Sequence, residues 1–208
     1  MIDPQLLAFV GVSVLLAVTP GPDMAVVTKN ALAHGRRGVL LTTSGIALAL
    51  VVWVTATAVG LSALLRTSGE VLFALKLVGA AYLAYLGIRT LLESRSRPTD
   101  LLEGTPVAAP AHAVFRQGFL SAISNPKLGV FFVTFLPQFV LPGQQVLPRL
   151  LELGVTFAVI GCVWMNVYGL FVTRLRNVIT APRVRQWMQR VTGVVLLGFG
   201  ARLALERI

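Results

Sequence analysis

AVTPGPDMAVVTKN, residues 17–30, places two prolines, a glycine and an aspartate inside what otherwise reads as one apolar helix. Proline lacks an N–H and clashes with the preceding turn, so Pro20 frees the carbonyl of Leu16 and Pro22 that of Val18. In a soluble protein such a break is an ordinary loop. Here 56% of 208 residues are hydrophobic and only 12% charged, with mean hydropathy +0.81, against about 25% charged in an average soluble domain. The chain reads as an all-α integral membrane protein, and the break lies inside a membrane-spanning segment.

Six apolar runs follow one another: Leu6 to Ala33, Val39 to Leu65, Val71 to Leu92, Phe115 to Leu141, Leu147 to Val172 and Val184 to Leu205. Each reaches the roughly 20 residues needed to cross a hydrocarbon core. The first begins after MIDPQ, with no basic residue, and is a span rather than a cleavable signal peptide. The formal charge of +10 and pI near 11.3 raise the possibility of nucleic-acid binding, but the basic residues lie mostly between apolar runs. Connections after spans one, three and five hold Lys29, Arg36, Arg37, Arg89, Arg95, Arg97, Arg116, Arg174, Arg176, Arg183, Arg185 and Arg190. The opposite side holds Arg66, Arg149, Arg202 and Arg207. By the positive-inside rule the odd-numbered loops are cytoplasmic and both termini lie outside; the basicity is a topology signal and no nucleic-acid partner is expected.

The longest connection, Glu93 to Ala113, is rich in Pro, Ser and charge and reads as a flexible cytoplasmic linker. It divides the chain into a three-helix repeat over 1–92, a linker over 93–114 and a second three-helix repeat over 115–208. Three spans being an odd number, the second half enters the membrane upside down relative to the first, the arithmetic of a 3+3 inverted repeat. Spans three and six support it: Lys76 and Arg190 each precede a glycine, Gly79 and Gly193, by three residues, and apolar stretches then run to Arg89 and Arg202. Spans two and five share Gly45 and Gly154, followed by Trp53 and Trp164.

Span four is broken too, at Ser124-Asn125-Pro126-Lys127. Interrupted helices in corresponding positions of two halves point to a transporter's binding site. At about 1.5 Å per residue, Thr19 lies about 20 Å from the outer end of span one and Asn125 about 15 Å from the inner end of span four, so both breaks fall near the midplane. Pro126 frees the carbonyl of Ala122. Beyond each break a half-helix restarts, with Thr19 or Gly21 and Asn125 as N-caps and Pro22 and Pro126 at the first helical position. Bare carbonyls, two half-helix N-termini, one carboxylate and one ammonium suit a small zwitterion. Thr19, Pro20, Gly21, Pro22, Asp23, Asn125, Pro126 and Lys127 are the candidate substrate- and ion-binding residues.

Asp23 is the one acid well inside a span, and burying an ionisable group is costly enough to imply a role. Binding the substrate amine or coupling a proton is that role; the plain alternative is pairing with Lys127 or with a helix dipole. Lys127 has the same alternative, as partner of Asp23 or of a carbonyl. Gln138, Asn166 and Tyr168 are further candidates for the cavity lining, with interhelical hydrogen bonding as their plain alternative. Cys162 and the two histidines, His34 and His112, provide neither a disulfide framework nor a metal cluster. No nucleophile and base at recognisable spacing, no phosphate loop and no cofactor motif appear, so enzyme chemistry is not expected.

TPGPD at 19–23, HGRRG at 34–38 followed by Gly45, and FRQGFLSAISNPKLGVFFVTFLPQF at 115–139 resemble the lysine exporter (LysE) family, and within it the threonine and homoserine efflux branch, RhtB. The resemblance runs along the whole chain. It implies a bacterial inner-membrane exporter of amino acids or close derivatives driven by the proton motive force, with protons as coupling ion. Pro20 to Asp23 match the first family motif and Asn125 to Lys127 the second; many members carry asparagine where this chain has Asp23. A gated passive channel built on the same site is the alternative, and export of metal cations is disfavoured by the lack of a His, Cys or acidic cluster. A homo-oligomer is left open.

Overall fold

In the computed structural model, residues 4–64, 109–140 and 143–174 are described continuously, with scattered helical positions between 77 and 92 and between 186 and 201. Most of the linker, Lys76, Gly79 and Arg202 lie outside the described residues. Every regular element among those described is helical: α1 (Pro4–Val18), α2 (Pro22–Leu64), α3 (Ala111–Ile123), α4 (Pro126–Val130) and α5 (Val146–Arg174). Between α4 and α5 run a π-helical turn, Phe131–Phe135, and a 3-10 turn, Leu136–Phe139.

At 43 residues α2 is far too long for one crossing. It is in fact a hairpin. Gly35 adopts φ 57° and ψ −142°, a left-handed conformation that glycine tolerates without a Cβ clash. The chain reverses there: Asn30 Nδ2 donates to Thr42 Oγ1 at 2.9 Å, although twelve residues of continuous helix would separate them by about 18 Å. Residues 22–34 therefore continue the path of α1 across a break, and residues 36–64 return as the next span.

Contacts along the returning arm fix its neighbours' directions. Gly118 lies against the backbone of Thr42, where an added Cβ would meet the Thr42 carbonyl at 2.1 Å, and Trp53 Nε1 reaches the Ala122 carbonyl at 3.2 Å. Numbers rise together, so the returning arm and α3 run parallel. Gly154 lies against Val54 and Gly169 against Val39, so α5 runs antiparallel to both. Farther along the chain, Gly87 packs on Gly193 and Leu197.

The sorting of side chains is that of a protein in lipid. On α5, Val155, Val159, Val163, Val167 and Phe171 form an outward stripe at four-residue spacing, all exposed, while Gly154, Gly161 and Gly169 face inward. A helix apolar on its outer face and small on its inner face is packed for van der Waals contact between spans. Length and apolarity qualify α5 as a span, and α3 with residues Pro126–Phe139 as another bent by 45°. Two boundaries differ from expectation. Helix α3 begins at Ala111, inside the stretch read as linker, because Pro110 opens it and its carbonyl accepts from the N–H of Ala113 and Val114. Arg149, read as part of an outer loop, is buried in the first turn of α5, where it donates to the Phe139 carbonyl and pairs with Glu152 at 3.0 Å.

Candidate functional site

Each break is built by its own sequence. Helix α1 stops at Val18; both the N–H and the hydroxyl of Thr19 turn back to the Leu15 carbonyl, at 3.1 and 2.7 Å. Pro20 and Gly21 carry the chain over, Pro22 opens α2 and Asp23 sits in its first turn. Thr19 therefore finishes α1 and does not cap α2; Gly21 precedes the first helical residue, and its carbonyl accepts from the Ala25 N–H. At the second break Asn125 is the N-cap, its side chain accepting the Lys127 N–H at 3.0 Å, and Pro126 takes the first helical position. A proline there loses no hydrogen bond, because the leading N–H groups of a helix have no partner inside it.

The two breaks hold each other. Lys127, from the second, points its ammonium into the first and donates to the carbonyls of Leu16 at 3.2 Å and Thr19 at 3.0 Å. Asp23, from the first, reaches back: Oδ1 accepts from Ser121 Oγ and Oδ2 from Asn125 Nδ2, each at 2.6 Å. Gly21 leaves room for this exchange, since a Cβ on it would lie 3.4 Å from Lys127 Nζ. Thr19, Asp23, Asn125 and Lys127 are all buried. Because Asn125 Oδ1 takes a backbone N–H, its amide orientation is fixed and Nδ2 must face Asp23.

One expectation needs correction. The freed carbonyls are not all bare: Leu16 is taken by Lys127, and Ala122 by Trp53 Nε1 and the Asn125 N–H. Buried carbonyls find partners because leaving them without one is expensive. The hydrogen bonds of Asp23 and of Lys127 go to uncharged groups across the breaks, and the two charges act on each other only through space.

From the breaks a polar seam descends towards the Gly35 turn. Asn30 donates to Thr42 Oγ1 and, at 3.4 Å, to Gln117 Oε1. Thr28 and Tyr168 share a hydrogen bond at 2.8 Å, and Thr43 donates to Asn166 Oδ1 at 3.1 Å. Asn166 and Tyr168 thus bridge α5 to the two arms of α2, below the breaks. Gln138 does not join the site; it donates to the Thr134 carbonyl one turn earlier in its own chain. Ser121, Asn30, Thr42 and Gln117 are the residues that sequence reasoning missed. Their signal was present, since Gln117, Ser121 and Asn125 recur every four residues and Asp23 and Asn30 are seven apart, two polar stripes on facing helices.

On the other side of the breaks the contacts are aromatic. Phe131 stacks within 4.3 Å of Phe157 and 5.4 Å of Phe135, and Phe9 meets Phe131 and Phe139 at 6.0 and 5.2 Å between ring centroids. Among the described residues no group of three His, Cys, Asp or Glu side chains is placed to hold a metal ion.

Residues 14–207 match the family model of the LysE type translocator. The chain is 30% identical to a homoserine/homoserine lactone efflux protein of Salmonella typhimurium, over 96% of both chains. It is 29% identical to a leucine efflux protein of Klebsiella pneumoniae over 92% of this chain and 91% of that one. To a membrane protein of Bacillus subtilis, YrhP, it is 27% identical over 97% of this chain and 99% of the relative. No solved structure matches the chain.

Proposed function

The chain belongs to the LysE family of translocators, and on that premise we propose that it is a secondary transporter exporting a small neutral amino acid from the bacterial cytoplasm. Threonine- or homoserine-like compounds are the first class to test, in keeping with the efflux relatives. The substrate is held as a zwitterion between the breaks at 19–23 and 124–127, and export is coupled to inward movement of protons. The observation that carries this reading is the reciprocal brace: a buried carboxylate and a buried ammonium, each held by the opposite half-helix and not by each other. Such a pair accepts a zwitterion without a change in net charge, which matters because an unpaired charge at this depth costs several kcal/mol.

Alternating access follows from what closes each side. Hydrogen bonds between α2 and α3 close the side of the Gly35 turn, which the positive-inside rule makes cytoplasmic; phenylalanines close the other. Six spans arranged as a 3+3 inverted repeat, with both termini outside, account for the two breaks and for the excess of basic residues in the odd loops. The test is counterflow in proteoliposomes across a panel of amino acids. A transporter exchanges labelled for unlabelled substrate with no gradient, and an inward pH gradient accelerates net efflux. Flux without trans-stimulation would instead indicate a gated channel.

A further inference from the structure

Lys127 is more than half of a brace. Its ammonium sits on two carbonyls at the C-terminal end of α1, those of Leu16 and Thr19, where the helix dipole adds negative potential. These acceptors belong to one half of the chain, the lysine to the other. An ammonium on paired carbonyls is also the arrangement that would receive the amino group of an amino acid.

We propose that the Lys127 ammonium is a tethered stand-in for the substrate's ammonium. The carbonyls of Leu16 and Thr19 form the substrate's amine subsite, and Lys127 must leave them for the substrate to bind. The displaced ammonium then meets the substrate's carboxylate. One ammonium replaces another on the carbonyls and one new ion pair forms, so no charge is left buried without a partner. A simple amine has no carboxylate to compensate Lys127 and is rejected; a zwitterion is accepted. This inference rests on the export reading above.

The experiment measures amine binding to purified, detergent-solubilised protein by thermal shift. Lys127→Ala removes a propylammonium group, so n-propylammonium is its probe; Lys127→Met keeps the stem and lacks only the nitrogen, so ammonium ion is its probe. Each variant should bind its probe roughly ten- to a hundredfold more tightly than wild type does, the equivalent of one hydrogen bond to a charged group. The methyl ester of the amino acid that supports wild-type counterflow, which keeps the ammonium and lacks the carboxylate that only Lys127 would compensate, should compete with the probe. Normal wild-type counterflow with no amine binding in either variant overturns the inference and leaves the export reading standing. So does amine binding that the ester fails to displace, because a fixed brace would be refilled without competition. Absence of wild-type counterflow with every amino acid overturns the export reading itself, and the substrate role of Lys127 with it. If neither variant survives extraction, extraction in the presence of its probe decides: recovery together with competition supports the proposal, and failure to recover overturns it.

Discussion

Replacing Asp23 by asparagine separates the charge of this side chain from its hydrogen bonds. The carboxylate accepts from Ser121 Oγ and from Asn125 Nδ2, each at 2.6 Å. Asn125 cannot turn its amide, because Oδ1 already holds the Lys127 N–H, so the new asparagine must present its oxygen there. Its NH2 group then faces Ser121, whose hydroxyl can rotate from donor to acceptor. Both bonds survive as neutral ones, at a cost of about 2 kcal/mol from lost charge assistance. Asp23→Ala instead strands one buried donor, Asn125 Nδ2, and one half-buried donor, Ser121 Oγ, at about 1–3 kcal/mol each, roughly 4 kcal/mol together. At about 3 °C per kcal/mol for a chain of this size, the expected falls in Tm are about 6 and about 12 °C. In proteoliposomes Asp23→Asn should keep measurable counterflow and lose the acceleration of efflux by external acid. Undiminished, pH-dependent efflux would remove Asp23 as the coupling group. A Tm as low as that of the alanine variant would refute the hydrogen-bond argument.

Other substitutions probe other joints of the site. Pro126→Ala restores an N–H able to reach the Ala122 carbonyl, which now accepts from Trp53 and Asn125; the break should tighten and counterflow should fall, and normal kinetics would show that the break is dispensable. Gly118→Ala places a methyl 2.1 Å from the Thr42 carbonyl, whereas Gly60 has nothing within 4 Å. The first should cost about 1–3 kcal/mol through overpacking and the second should gain about 0.5–1 kcal/mol, so thermal shifts of opposite sign check the packing of α3 on α2. Tyr168→Phe removes the bond to Thr28, which still donates to the Met24 carbonyl. It should cost about 1 kcal/mol with transport retained; loss of transport at unchanged stability would move Tyr168 into the substrate's path.

Much of this arrangement is legible in the sequence because membrane spans obey strict rules. Length and apolarity mark α5 and the bent stretch from α3 to Phe139 as spans, and proline chemistry alone locates both breaks to within a residue or two. Partners across the breaks are a different matter. Nothing in the spacing of Asp23 and Lys127 says that each will be satisfied by the other half-helix; that depends on how closely α2 approaches α3, set by Gly118 against Thr42 and by the Gly35 reversal. The four-residue stripe of Gln117, Ser121 and Asn125 is visible in the sequence, but Ser121's partner, 98 residues away, is not. Arg149 reads as a loop charge because its role as donor to the Phe139 carbonyl depends on the tight turn that follows the π-helical stretch.

The two sides of the breaks are closed by different physics, and the difference has a direction. Towards the Gly35 turn the seam consists of hydrogen bonds among Asp23, Ser121, Asn125, Asn30, Thr42 and Gln117. Water entering between α2 and α3 can replace the bonds that join them, at about 1 kcal/mol for the Asn30–Gln117 bond and about 1.5–3 kcal/mol for each of the two to the Asp23 carboxylate. The Asn30–Thr42 bond lies within α2 and stays. On the far side Phe9, Phe131, Phe135, Phe139 and Phe157 are packed ring on ring, and exposing them to water costs about 1.5–3 kcal/mol per side chain. The site thus opens more readily towards the turn that carries Arg36 and Arg37, the face on which the proposed export cycle loads. Opening the phenylalanine side, where the proposed cycle releases its substrate, therefore requires a larger input of free energy than opening the side of the turn.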